Sequence, residues 1–219
     1  SFSLLFRGCS FMNIYEAGVV RALQELSPEI LKSATRIYGA SSGSIIAALA
    51  ACECAIGKGY AFSFYAISAM ESHVSGIFTS RRKILHVVKD ILNKFLPVNA
   101  HQLVSGKLHV ILTRVHDWRN VVVSEFTSKE DLIEAILCSC FIPVCFGFPP
   151  VYHGVRYADG ELSMWNANFT SQTMITVSAF AGEYDICPKD CPAAFFTFQI
   201  SDCILQISKK NIYRLQCIF

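Results

Sequence analysis

The stretch Arg36–Leu49, RIYGASSGSIIAAL, decides the fold that we predict for this chain. It reads as a short apolar strand, a five-residue turn from Gly39 to Gly43, and an Ala- and Ile-rich helix. The turn has the form G-x-S-x-G, a strand-to-helix turn so sharp that side chains on the flanking glycines would clash. Ser41 is therefore expected at a helix N-terminus, where backbone N–H groups and the helix dipole favour negative charge. This setting suits a serine nucleophile; the alternative is a Gly/Ser turn with an N-capping serine.

Composition restricts the classes of protein to which the chain can belong. The 219 residues are 53% hydrophobic and 16% charged, with a formal net charge of +2. The length predicts one domain with a sizeable core, and the composition argues against intrinsic disorder. Because the net charge is small, we predict no nucleic-acid partner. No uncharged apolar run reaches the roughly 18 residues of a membrane-spanning helix.

The ten cysteines predict a reducing environment rather than a disulfide scaffold. Most of them lie in the apolar surroundings typical of buried, reduced thiols, which favours a cytosol-facing location. Cys187 and Cys191 form the only pair with the spacing of metal ligands. Neither a second pair nor a nearby histidine accompanies them, so we predict no metal site.

Two strand–loop–helix units at the start of the chain predict a parallel sheet. Residues Phe2–Phe6 form the first apolar strand, and Ile14–Leu26 form an amphipathic helix. Because the unit recurs over Arg36–Leu49, we predict an α/β layered sheet with parallel strands. The loop that contains Gly8 would then meet the Ser41 turn at one edge of the sheet. Its backbone N–H groups could bind an oxyanion formed at Ser41; the alternative is an ordinary strand–helix connection.

The middle of the chain predicts a hairpin followed by a capped helix. The segments Leu108–Thr113 and Asn120–Glu125 are two strands joined by a polar turn. Thr127 and Glu130 have the spacing of a capping box. This box would open a helix from Ser128 to about Leu137.

Further elements are predicted from shorter patterns. They are helices at Tyr60–Glu71 and Arg81–Phe95, strands at Val155–Ala158 and Thr173–Val177, and a helix that begins at Asn211. The aromatic residues at 60–65 are interpreted as core rather than as an acyl-binding surface. The apolar run Cys138–Tyr152 contains three prolines and is expected to be a buried loop beside the site.

A serine nucleophile needs a base to accept its proton. Every histidine precedes Asp159, whereas the usual hydrolase order is serine, acid, histidine. A triad of Ser41 with His153 and an earlier acid such as Asp117 stays open. A Ser41–Asp159 dyad is simpler, and it requires the two side chains to lie within about 3.5 Å. Burial of Asp159 in an apolar segment would raise its pKa and make it a better base; the alternative is that Asp-Gly is merely a turn.

Taken together, these residues resemble the patatin-like phospholipase family, in particular its adipose triglyceride lipase and adiponutrin subgroup. The resemblance extends over almost the whole chain. It is carried by IYGASSGS, LHVILTR, NVVVSEFTSKEDLIEA, CSCFIPV, GVRYADG, ITVSAFAGEYDICP and NIYRL. The segments GKLHV, VVVSEFTSKE and DICPKDCPA are most similar to the branch that includes ω-hydroxyceramide transacylase.

The resemblance implies a three-layer α/β/α fold with a mostly parallel central sheet. Residues 2–180 would form the acyl hydrolase domain and 181–219 an incomplete C-terminal extension of it, in a chain that is a fragment at both ends. Ser41 would be the nucleophile and Asp159, followed by Gly160, the base. The N–H groups of the loop formed by Gly8, Cys9 and Ser10 would face the tetrahedral intermediate.

The resemblance also implies substrates and partners. The substrate would be triacylglycerol or a related neutral lipid or phospholipid, at the surface of a lipid droplet or membrane. The protein would be cytoplasmic and peripheral on that surface. No metal or organic cofactor is implied, and an α/β-hydrolase-type co-activator protein is a plausible partner.

Several residues depart from the family pattern. Ser10 and Asn13 stand where the family loop has glycine, and Arg7 adds a charge where a small residue is usual. Glu161 follows Gly160 where the family has Gly or Ala. These departures support an alternative function, in which a catalytically impaired relative binds lipid droplets or a co-activator.

Overall fold

The computed structural model describes residues 1–54, 80–143, 147–167, 173–190, 196–200 and 202–216. Its strands are β1 Ser3–Phe6, β2 Arg36–Ala40, β3 Leu108–Arg114, β4 Arg119–Val123, β5 Val151–Tyr152, β6 Val155–Asp159, β7 Met174–Val177, β8 Thr197–Ile200 and β9 Cys203–Gln206. Its α-helices are α1 Asn13–Leu26, α2 Pro28–Ser33, α3 Ser42–Ala51, α4 Ser80–Phe95, α5 Ala100–Val104, α6 Lys129–Ser139 and α7 Lys209–Gln216. Short 3₁₀ helices cover Ser10–Met12 and Gly160–Asn166.

A seven-stranded sheet forms the centre of the fold. Strands β7, β1, β2 and β3 are adjacent in that order and run parallel. Strands β4 and β6 pair antiparallel with β3, and β5 pairs antiparallel with β6. The predicted α/β class with a mostly parallel central sheet flanked by helices is confirmed, as is the β3–β4 hairpin.

The two faces of the sheet are covered differently. Because side chains alternate along a strand, Leu4, Phe6 and Ile37 lie on one face, in a large core shared with α1 to α6. Leu5 and Tyr38 lie on the opposite face. There they form a smaller cluster with Ala40, Ile111 and Met164, the last from the second 3₁₀ helix. Among the described residues, no helix is both long and apolar enough to cross a membrane.

The glycines of the Ser41 turn allow α3 to lie directly against the sheet. A Cβ atom on Gly39 would be 2.5 Å from Ser44 Cα, and one on Gly43 would overlap the carbonyl oxygen of Phe6 and lie 2.7 Å from that of Arg7. Helix α3 therefore crosses the end of β1 in backbone contact. This contact places the Ser41 turn beside the loop that follows β1.

The capping-box prediction at the start of α6 is wrong by one residue. The N-cap is Ser128, whose Oγ accepts a hydrogen bond from Asp131 N at 3.0 Å. Asp131 Oδ2 in turn accepts from Thr127 N and Oγ1, at 2.8 and 2.9 Å. The reciprocal partner is thus Asp131 rather than Glu130, because an aspartate three residues after Ser128 can also reach back to the chain that enters the helix.

The run 138–152 is only partly the buried loop that we predicted. Cys138 and Ser139 still belong to α6, and Phe141 is buried. In contrast, the side chains of Phe148 and Val151 are 85% and 54% exposed. The predicted helix at 60–71 and its aromatic residues lie outside the described residues.

The C-terminal part of the described chain packs against the segment that follows β7. Strands β8 and β9, which no sequence pattern predicted, form a hairpin, and Gln206 N in this hairpin donates to Ala181 O at 2.9 Å. Asn211 in α7, a residue with no solvent exposure, accepts from Ala181 N and donates to Ala181 O. The predicted C-terminal helix is confirmed, and it begins at Lys209.

We expect Gly43→Ala to lower the free energy of unfolding by about 2 kcal/mol or more, because its Cβ meets backbone atoms that cannot move aside. Urea unfolding measures the change. Gly154→Ala is the matched control: no atom of a described residue outside its chain neighbours lies within 4 Å of its Cβ position, and φ is +79°. The control should lose only about 1 kcal/mol, from backbone conformation alone. Equal losses in the two variants would contradict the close approach of α3 to β1.

Candidate active site

The turn between β2 and α3 holds Ser41 in an unusual backbone conformation. Its φ is 52° and its ψ is −135°, a region that residues other than glycine rarely adopt. Ser41 N donates to Ser139 Oγ at 2.8 Å, and Ser41 O accepts from Ser44 N at 2.9 Å and from Ser44 Oγ at 2.6 Å. Ser139 Oγ in turn donates to Ile111 O. The backbone of Ser41 is thus held by the sheet and by two helices.

The Ser41 hydroxyl lies within hydrogen-bonding distance of Asp159. Ser41 Oγ donates to Asp159 Oδ2 at 2.6 Å, inside the limit of about 3.5 Å that a dyad requires. The second carboxylate oxygen, Oδ1, accepts from Glu161 N at 2.9 Å. On the main chain of Asp159, the N–H donates to Phe141 O and the carbonyl accepts from Thr113 Oγ1 at 2.6 Å. Both oxygens of the carboxylate and its backbone are therefore fixed in position.

The environment of Asp159 favours its protonated form. The residue is 3% exposed, and burial raises the pKa of its carboxyl to about 7. Hydrogen bonds from Ser41 and from the Glu161 backbone oppose this shift, while the negative charge of Glu161 adds to it. A carboxyl with a pKa near neutrality exchanges a proton with little free-energy cost at physiological pH.

Among the described residues, no histidine takes part in the hydrogen bonds of Ser41 and Asp159. His153 Nε2 lies 2.9 Å from Asp131 Oδ1 and its side chain is 63% exposed. Asp117 is bound to Arg114 by two hydrogen bonds, of 3.0 and 2.7 Å. The alternative triad of Ser41, His153 and Asp117 is therefore wrong, because its members lie in three separate interactions.

The loop that follows β1 lies beside Ser41, but its first two N–H groups are already engaged. A Cβ on Gly8 would be only 2.8 Å from Ser41 Cβ, so the two residues are in direct contact. Gly8 N donates to Glu161 Oε1 at 2.5 Å, and Cys9 N donates to Ser42 Oγ at 3.1 Å. Ser10 begins the first 3₁₀ helix with a φ of 52°, in the region that favours glycine.

Sequence reasoning missed the ion-pair network next to Gly8. Arg7 is 5% exposed and lies between two carboxylates. Its Nε and Nη2 donate to the two oxygens of Glu161 at 3.2 and 2.7 Å, and its Nη1 donates to Asp202 Oδ2 at 2.6 Å. Arg7 and Glu161 stood out in the sequence only as departures from a family pattern. Because Asp202 comes from the β8–β9 turn, no local pattern connected it with them.

A second carboxyl lies behind the loop. Glu16, in the first turn of α1, has no solvent exposure, and its carboxylate oxygens make no hydrogen bond of ordinary geometry to a described residue, although Cys9 and the backbone of Arg7 are close enough to oppose the shift of its pKa. Burial raises its pKa well above the ordinary value, and the charge of Glu161 adds to that shift. The side chain therefore favours its uncharged form. In the described part of the chain, no group of three or more His, Cys, Asp or Glu residues could hold a metal ion.

Comparison with protein families relates this site to a known group. The family model for patatin-like phospholipase matches residues 4–169, a range that includes the Gly8 loop, Ser41 and Asp159. The sequence resemblance to this family is thus confirmed. Among solved structures, VipD from Legionella pneumophila is similar, with a TM-score of 0.57 and 15% identity over 83% of this chain and 50% of that one. At this identity the structural match supports the fold alone.

Curated relatives match nearly the whole chain. Human ω-hydroxyceramide transacylase is 42% identical over 214 residues, which cover 97% of this chain and 40% of the relative. A human 1-acylglycerol-3-phosphate O-acyltransferase is 38% identical, covering 99% and 45%, and human patatin-like phospholipase domain-containing protein 2 is 36% identical, covering 98% and 43%. The chain therefore spans less than half the length of each of these relatives.

The backbone of Ser41 predicts a stability difference between two variants. Both Ser41→Gly and Ser41→Ala lose the hydrogen bond to Asp159, but only glycine adopts φ = 52° without strain. We expect the glycine variant to be more stable by about 1 kcal/mol in chemical unfolding. Ser44, inside α3, is the control: there the order should reverse, with alanine more stable than glycine by roughly 1 kcal/mol. The same order at both positions would argue against strain at Ser41.

Proposed function

Because the chain belongs to the patatin-like phospholipase family, we propose that it is a serine lipid acyl hydrolase or transacylase in which Ser41 and Asp159 form a catalytic dyad. The observation that carries the proposal is the 2.6 Å hydrogen bond from Ser41 Oγ to Asp159 Oδ2. It joins a hydroxyl on a strained strand-to-helix turn to a buried carboxylate whose pKa is raised to about 7. A nucleophile and a base within hydrogen-bond reach are the minimum that acyl transfer requires.

The first half-reaction follows from this geometry. Ser41 Oγ attacks the ester carbonyl carbon while its proton passes to Asp159 Oδ2, which gives a tetrahedral intermediate with a negatively charged oxygen. When this intermediate collapses, the ester C–O bond breaks. The leaving alcohol takes the proton from Asp159, and the acyl group stays on Ser41.

The second half-reaction decides between hydrolysis and transfer. Asp159 accepts a proton from water or from an acceptor alcohol, whose oxygen attacks the acyl-enzyme carbonyl carbon. Collapse releases a fatty acid or a new ester, and the proton returns to Ser41 Oγ. The names of the relatives include a transacylase and an acyltransferase, so we propose that an acceptor hydroxyl competes with water in this step.

The substrate class and location are part of the same proposal. We expect triacylglycerol or related acyl lipids as substrates, presented at the surface of a lipid droplet or membrane to which the protein binds peripherally on its cytoplasmic side. An α/β-hydrolase-type co-activator would be a partner. No step of the mechanism calls for a metal or organic cofactor.

A second candidate function is favoured by one observation. The N–H of Gly8, which the family resemblance assigns to the oxyanion, donates instead to Glu161. An enzyme that lacks one oxyanion donor loses about 10²- to 10³-fold in rate. Under this alternative the chain is an impaired relative that binds a lipid surface or a co-activator.

A fluorophosphonate probe separates the two candidates. If Ser41 is a nucleophile, the probe should label the purified protein at Ser41, as identified by peptide mass spectrometry. Ser41→Ala should abolish labelling, and Asp159→Asn should slow it by about 10³-fold or more, because the serine loses its base. Ser33→Ala, at an exposed serine in α2, is the control for non-specific labelling and for the substitution itself. An unlabelled wild-type protein that binds lipid vesicles would support the alternative function.

The raised pKa of Asp159 predicts a pH dependence. Asp159 accepts the serine proton only when it is ionised, so kcat/KM for a soluble ester should rise with pH through a midpoint near pH 7 and level off at higher pH. The negative charge of Glu161 contributes to the raised pKa, so Glu161→Gln should move the midpoint to lower pH. The measurement is a pH–rate profile with a short-chain nitrophenyl ester. A midpoint near pH 4 would contradict the burial effect on Asp159.

A further inference from the structure

Glu161 makes three contacts around one carboxylate. Gly8 N donates to Oε1 at 2.5 Å, Arg7 Nε donates to the same oxygen at 3.2 Å, and Arg7 Nη2 donates to Oε2 at 2.7 Å. A guanidinium that binds both oxygens and a backbone N–H on one of them form an arrangement that recognises carboxylates in general. Here the carboxylate comes from the protein itself.

The position of this carboxylate matters because Gly8 touches Ser41. A Cβ on Gly8 would lie 2.8 Å from Ser41 Cβ and 2.6 Å from Glu161 Cγ. Gly8 therefore lies next to both side chains. An oxyanion formed at Ser41 and the Glu161 carboxylate would therefore compete for the same N–H. They would also repel each other, since both are negative.

From these contacts we propose that the Arg7 guanidinium and the Gly8 N–H form a carboxylate-binding site next to Ser41, and that Glu161 fills this site from within and slows acyl transfer. The inference rests on the proposed function in one respect, namely that Ser41 is the nucleophile. The site's ligand is a carboxylate, the group that ester hydrolysis releases as a fatty acid. With Glu161 displaced, the same site would accept that product.

The charges around Arg7 indicate that Glu161 can leave without unfolding the protein. Arg7 has a second carboxylate partner, Asp202, at 2.6 and 3.1 Å. One guanidinium therefore faces two carboxylates. Removal of Glu161 leaves the positive charge of Arg7 paired with the negative charge of Asp202. The side chain of Glu161 is 22% exposed, whereas that of Arg7 is 6% exposed, so Glu161 has a path to solvent.

Two substitutions and one control test the proposal. Glu161→Ala removes both the charge and the acceptor, and Glu161→Gln removes the charge alone. Asp202→Asn is the matched control, because it removes the charge of the other carboxylate that binds Arg7 and leaves Gly8 N bound to Glu161. Rates of Ser41 labelling by a fluorophosphonate should be compared at about pH 9, where Asp159 is ionised in every variant.

We expect Glu161→Ala to label at least about 10-fold faster than the wild type, because Gly8 N–H becomes available to the phosphonyl oxygen. Glu161→Gln should be intermediate, and Asp202→Asn should stay within about two-fold of the wild type. Sodium acetate should slow labelling of Glu161→Ala by filling the vacated site, and sodium chloride at equal ionic strength should not. A purely structural role for Glu161 would give none of the acetate effect.

A second readout does not depend on catalysis. Arg7–Gly8 is the only Arg-Gly pair in the sequence, so protein labelled with ¹³C-carbonyl arginine and ¹⁵N-glycine shows the Gly8 amide as one resolved NMR signal. This proton should move upfield in Glu161→Ala, return downfield as acetate is added, and stay unchanged in Asp202→Asn.

Each result has a defined meaning. Unchanged or slower labelling of Glu161→Ala, with a labelled wild type, overturns the inhibitory role and leaves the proposed function intact. If Ser41 is labelled in no variant, the proposed function fails, and the NMR titration still decides whether the carboxylate site exists. A Gly8 signal that responds neither to Glu161→Ala nor to acetate overturns the site itself.

Discussion

The hydrogen bond from Ser41 to Asp159 joins residues 118 positions apart, and the arrangement of the site depends on it. The two residues meet because β2 and β6 both flank β3, whose residues pair with Gly39 and with Asp159 itself. Ser41 reaches the carboxylate only from a backbone conformation that costs about 1–3 kcal/mol. Contacts of α3 with the end of β1 and the hydrogen bond to Ser139 offset this cost.

Burial sets the chemistry of the acid more than any single partner does. Asp159 accepts hydrogen bonds at both oxygens, which would ordinarily lower its pKa, yet desolvation raises that pKa to about 7. Glu161 acts on the same site in two ways, since its backbone N–H stabilises the ionised Asp159 and its side-chain charge opposes it. Its carboxylate also occupies the N–H of Gly8. One residue thus connects the acid with the loop after β1.

Much of the fold could be predicted because its signals are local. The Gly39–Gly43 turn, the β3–β4 hairpin and the α1 helix follow from turn geometry and hydrophobic periodicity. The errors have local causes as well. Ser128 caps α6 in place of Thr127. Both residues offer a hydroxyl, and the N-cap is the one whose hydroxyl accepts a hydrogen bond from a backbone N–H of the first turn, here that of Asp131. The β8–β9 hairpin lacked a strong pattern, because its strands are short and Thr197 and Gln199 in β8 are exposed.

The sequence by itself indicated the family, the sharp turn at Ser41 and the Asp159–Gly160 pair, because each resides in a short motif with a fixed backbone requirement. Only the tertiary structure decided which groups occupy the donors of the site. Arg7, Glu161 and Asp202 come from three distant segments, and ion pairs between such segments follow no sequence period. The free energy of those pairs depends on desolvation and changes when the distance between the charged atoms differs by a few tenths of an ångström. These distances are set only when the sheet, the loop after β1 and the β8–β9 hairpin have come together.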